Sequence, residues 1–168
     1  MSRPINVQMV QSAWIVIGSL EPDQKLIFEP PLHVTIDKSS GWIQYFVRKA
    51  TGQNLSVTEK YLNFLIQLTI DACDRLSESK VLDRIYTQDF KTFTLSDKDA
   101  YRSKKIDLQT LLETINTKAL VKLPILSATY NKADIFASMC DRLQHLSETV
   151  ATKLKQLNEQ EEKMIKPS

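Results

Sequence analysis

From Lys132 to Met164 the chain runs without a proline or glycine, and apolar residues recur at every seventh position: Phe136, Leu143, Val150, Leu157 and Met164. Seven residues make two turns of an α-helix, so these side chains line one edge of a long helix. Met139 and Leu146 add a second row beside the first two members, but Lys153 and Gln160 stand where that row would continue, and Leu154 widens the stripe instead. The first half of this seam has the width of a core face. The second half, Val150, Leu154, Leu157 and Met164, is a narrow coiled-coil stripe on a charged helix. Two readings fit it, packing inside the chain or pairing with another chain. Residues 158–168, rich in Glu, Gln and Lys, are expected to fray.

Other stretches carry the same helical rhythm. Val7, Val10, Trp14 and Ile17 recur at three- and four-residue spacing, which predicts a helix, although Ala13 to Ile17 would also suit a buried strand. Trp42, Ile43, Tyr45, Phe46 and Val47 predict another helix, ended by Gly52. Ser56 with Glu59 has the spacing of a capping box, in which the hydroxyl accepts an amide three residues on and the carboxylate reaches back. It would open a central helix with Tyr61, Leu65, Leu68, Ala72 and Leu76 on one face. Val81 to Tyr86 allow a further turn or two, Lys91 to Leu95 could be extended, and Ser96 to Asp99 mark a helix start. Asp107 is a candidate cap for a helix through Leu111, Ile115 and Val121 that Pro124 would terminate.

One segment breaks the rhythm. Leu32-His33-Val34-Thr35-Ile36-Asp37 alternates apolar and polar residues, the period of a half-buried strand, and Pro30-Pro31 separates it from the short apolar run Lys25 to Phe28. The expected fold is therefore mostly α, a bundle of about five helices with a short hairpin near residues 25 to 37; a mixed α+β fold is the alternative. The 168 residues suit one domain, with residues 1–38 as an N-terminal arm. Only three glycines are present, which also argues against a sheet-rich fold or a phosphate-binding loop.

Charge and reactive groups narrow the function classes. Basic and acidic residues number 22 and 20, a net charge of +2, without the basic excess common in nucleic-acid-binding domains. A local cluster remains: Arg102, Lys104 and Lys105 beside Tyr101, followed by Lys118 and Lys122 at a helical spacing. If the first group folds back on the second, a modest phosphate-contacting patch results, though Asp97, Asp99, Asp107 and Glu113 are interspersed. Cys73 and Cys140 fall within apolar helical patterns and read as small core residues in a reducing compartment. Ala13 to Ile17 is too short and too interrupted for a signal peptide or a membrane span.

His33, Cys73, Cys140 and His145 are scattered rather than grouped as zinc ligands, and Asp71 with Asp74 reads as the polar edge of a helix. No catalytic residues, metal or other cofactor are therefore expected. The reading that follows is a cytoplasmic, non-enzymatic interaction or assembly subunit that touches a protein partner, or a second copy of itself, through Val150, Leu154, Leu157 and Met164. The alternative is an accessory nucleic-acid-binding subunit of a ribonucleoprotein complex, using the five basic residues. Truncation after Leu146 is expected to leave the domain folded.

Overall fold

The computed structural model describes residues 5–21, 24–37, 53–86 and 90–165. The first element, α1 (Val7–Gly18), starts at Asn6, whose side-chain oxygen accepts the Met9 amide at 2.9 Å. The apolar run Ala13 to Ile17 is helical throughout, with Val10, Ala13, Trp14 and Ile17 buried. Two antiparallel strands follow, β1 (Lys25–Glu29) and β2 (His33–Asp37), in register from Lys25 opposite Asp37 to Glu29 opposite His33. The hairpin closes over Pro30-Pro31, joined by a cis peptide bond. Leu26 and Val34 face the core and His33 faces outward, as the alternation predicts. The helix expected over Trp42 to Val47 lies outside the described residues.

The central helix α2 (Gln53–Ser77) opens a turn earlier than the capping box implied, so Ser56 and Glu59 lie inside it. Tertiary packing outweighs the local signal: the extra turn brings Leu55 against the core, one turn before the buried Thr58. Beyond α2 come the single turn α3 (Lys80–Asp83) and two 3-10 turns, Arg84–Tyr86 and Phe90–Thr92. The second 3-10 turn replaces the extended segment expected at Lys91 to Leu95. Phe93 is buried with the Arg84 guanidinium 5.0 Å from its ring centre.

Residues 95–130 form a single helical element rather than separate pieces. α4 (Leu95–Thr114), one π-helical turn (Ile115–Ala119) and α5 (Leu120–Tyr130) follow without a break, forming one helical rod. Thr94 caps the rod, its hydroxyl accepting the Asp97 amide at 3.0 Å, so the start lies two residues before Ser96. Asp107 is mid-helix and caps nothing, and Tyr101 to Lys105 are helical. Pro124 sits inside α5 and does not end it. Proline removes one backbone donor and crowds the preceding turn. Here that turn adjoins the wider π-helical turn, a common way to accommodate a break in α-helical hydrogen bonding. The rod stops only at Asn131, in the left-handed conformation with φ 55°.

The chain then reverses into α6 (Ala133–Ile165), 33 residues long, which packs antiparallel on α5 and extends past it along α2 and α4. Tyr130 and Phe136 stack across this reversal with ring centres 6.2 Å apart. The helix runs on to Ile165, within the segment expected to fray, and Glu161 there is bonded to α4. The architecture is thus a helical bundle with a two-stranded hairpin at its N-terminal side. Its core is drawn from α1, α2, the rod and α6.

Candidate interaction surfaces

The stripe on the second half of α6 is taken up within the chain. Val150, Leu154 and Leu157 are buried in the core, which removes them from contact with a partner in this conformation. The cover comes from the part of the sequence with the weakest periodicity: both 3-10 turns and α4 pack against α6. Polar ties frame that contact. Lys153 lies 3.7 Å from Asp83 and 5.3 Å from the Tyr86 ring centre. The Glu161 carboxylate accepts from the Tyr101 hydroxyl and the Lys105 ammonium, both at 3.0 Å. Burial, and then the negative charge of Glu161, push the Tyr101 phenol above its usual pKa. The position of the Met164 side chain lies outside the description.

The five basic residues do not fold into one patch. Arg102, Lys104 and Lys105 share the rod with Lys118 and Lys122, so Lys105 and Lys118 are roughly 20 Å apart along its axis. Lys105 is bound to Glu161, Lys122 donates to the Leu20 carbonyl at 2.6 Å, and Arg102 stands 3.8 Å from Asp99. The putting-together that a phosphate groove needs is missing from this arrangement.

The titratable groups singled out in the sequence also stay apart. Asp71 and Asp74 are exposed on α2, with Asp71 accepting from Gln67 at 2.9 Å. Arg142 of α6 reaches the same stretch, donating to Asn63 and Gln67 at 3.2 Å each. This network binds α6 to α2 across their polar edge. His33 borders a cleft of about 430 Å³ between α1 and β2 whose other lining residues, such as Asn6, Gln8 and Ser12, are neutral. His145 is exposed on α6. Cys73 and Cys140 are free thiols, and burial, with a smaller contribution from Asp74, pushes Cys73 up to about 12. No group of three or more metal-ligating side chains occurs among the described residues. No helix among them is long and apolar enough to cross a membrane.

Two exposed apolar surfaces are present that the sequence did not single out. The first joins the hairpin to α2. Phe28 turns toward α2 and stacks on Tyr61, ring centres 4.7 Å apart, and the Tyr61 hydroxyl donates to the Leu32 carbonyl at 3.4 Å. One turn of α2 further on, Phe64 is 47% exposed. With Pro30 and Pro31 these rings line a groove of about 280 Å³, whose rim carries Glu29 and Lys60. The signal for it was hidden because Pro30-Pro31 reads only as a stop and Phe64 falls outside the core stripe of α2.

The second surface is the outward face of α5. Val121, Pro124, Ile125 and Ala128 are all exposed and sit at i, i+3, i+4 and i+7, one continuous apolar stripe. The spacing was legible, but reading Pro124 as a terminator cut the stripe in two. Comparison with protein-family models, curated proteins and solved structures returns no match, so the surfaces themselves carry the functional argument.

Proposed function

We propose that this chain is a non-enzymatic interaction subunit, and that a protein partner seats an aromatic or aliphatic anchor side chain in the groove of Phe28, Pro30, Pro31, Tyr61 and Phe64. The observation that carries this reading is the groove itself: the half-exposed rings of Phe28 and Phe64, the buried ring of Tyr61 and two exposed prolines converging on about 280 Å³. That volume falls just below the range usual for small-molecule pockets, about 300 to 1,000 Å³, and suits one large side chain. Aromatic side chains in desolvated pockets dominate the energetics of protein contacts. Glu29 and Lys60 supply a polar rim of both signs, which favours one orientation of the partner. The free thiols support placing the protein in the cytoplasm.

A photo-crosslinking residue in place of Phe64 tests the reading in cells. A discrete adduct is expected, absent from the same substitution at the exposed Gln109 on α4. Identical adduct patterns at the two positions would overturn it.

A further inference from the structure

We propose that the outward face of α5 docks a partner's amphipathic helix whose apolar stripe is bordered at both ends by acidic side chains. This deepens the interaction reading and rests on it. Val121 and Ile125 are 55% and 51% exposed, and with Pro124 and Ala128 they present the spacing by which one helix lays its apolar face along another.

Charge identifies the occupant. Between Thr114 and Ala133 the charged residues are Lys118, Lys122 and Lys132, and the exposed acids Glu113 and Asp134 stand just outside this stretch. Lys122 is occupied by the Leu20 carbonyl. Lys118 and Lys132 are exposed at the two ends of the stripe, and no ion pair ties either of them among the described residues. The helix from Lys118 to its last residue, Tyr130, is roughly 18 Å long, and Lys132 follows directly on the left-handed Asn131, so a partner of about three to four turns spans both lysines. A second copy laid on the same face would bring lysine against lysine, which disfavours self-pairing. Glu21 and Lys122 both border the small hollow beside Ile125, so no net charge is presented there.

The test uses the full chain and two synthetic helical peptides with the same leucine and alanine stripe, one bordered by glutamates and one by lysines. Fluorescence anisotropy at low salt is expected to show the glutamate peptide binding about tenfold tighter or more, with the preference shrinking as salt rises. Ile125→Asp should weaken the glutamate peptide by at least about tenfold, since it places a charge in the middle of the stripe. Lys118→Glu, at an exposed position that leaves the core untouched, should narrow or reverse the preference between peptides. Equal binding of the two peptides, or binding indifferent to Ile125→Asp, would sink the proposal. So would a dimer that Ile125→Asp dissolves and the glutamate peptide does not displace. The groove at Phe64 is a separate surface, so crosslinking there with no peptide preference here removes this face and leaves the interaction reading standing.

Discussion

Lys105 of α4 and Glu161 of α6 meet at 3.0 Å with side chains only 18% and 23% exposed, and the Tyr101 hydroxyl shares the same carboxylate oxygen. A pair this sheltered is screened less than a surface pair, and removing one partner leaves the others unsatisfied. Glu161→Ala should therefore cost about 1–3 kcal/mol in chemical denaturation. A change under about 0.5 kcal/mol, the usual range for a surface substitution, would show that the contact contributes nothing.

Truncation after Leu146 is now expected to unfold the domain, contrary to the expectation from sequence. It strips Val150, Leu154 and Leu157 from the core and exposes the apolar faces of α4 and both 3-10 turns. Each large-to-small change at such a site costs about 2–5 kcal/mol, against a total stability of about 5–15 kcal/mol for a typical domain. Circular dichroism and a thermal melt of the truncated chain decide the matter; a cooperative transition near that of the full chain would contradict it.

Two buried threonines on α2 should respond in opposite directions to valine. The Thr69 hydroxyl accepts the Trp14 indole N–H at 3.1 Å and donates to the Leu65 carbonyl at 2.7 Å. Thr69→Val orphans a fully buried indole donor and should destabilise by about 1–3 kcal/mol. The Thr58 hydroxyl is equally buried and has no hydrogen-bond partner among the described residues. Thr58→Val keeps the shape and removes an unsatisfied polar group, so stabilisation of about 1 kcal/mol is expected. Equal effects from the two substitutions in denaturant titrations would refute the assignment.

Acid and alkali should weaken the fold through different groups. Hydrogen bonding to Arg84, 2.8 Å away, is the main reason the Asp97 carboxyl lies below its ordinary value of 3.8. A carboxylate held low in the folded state adds stability above its unfolded pKa, and that contribution fades as pH falls below about 3.8. Asp97→Asn should flatten this part of the stability profile. Burial raises the Cys73 thiol from 9.0 to about 12, so its contribution is complete below pH 9 and is lost as pH rises toward 12. Cys73→Ala should blunt the alkaline loss; a profile unchanged between pH 9 and 12 would show that the thiol plays no part. The tyrosines at 61 and 101, also raised by burial, add to the same alkaline limb.

How much of this was legible in the sequence depends on which residues one asks about. The hairpin and the long last helix were readable because their periods, two and seven, are set by backbone geometry alone. Phe136, Leu143 and Leu146 belong to the core as their double row implied. Val150, Leu154 and Leu157 were ambiguous because a narrow stripe does not reveal how much cover will arrive, and part of the cover, beside α4, is a pair of 3-10 turns with no period to read. Asp107 misled as a cap because an aspartate suits both a helix start and an exposed helix face. The groove eluded sequence reasoning because it joins residues distant along the chain, Phe28 and Phe64, on two elements whose approach no spacing encodes.

The π-helical turn at Ile115–Ala119 governs the azimuth of everything after it. Ile115, Ala119 and Leu123 are all buried although they step by four twice, and in an unbroken α-helix two such steps would swing the last side chain by roughly 80°. The slower winding of the π turn absorbs that rotation. Deleting one residue there would put Ile115 and Leu123 seven positions apart, two ordinary α-helical turns, so Leu123 and Leu126 would still face the core while the rod shortens by about 1.5 Å. The outward character of Val121 and Ile125 is thus a matter of angular phase, preserved because the π turn takes up one extra residue upstream of them.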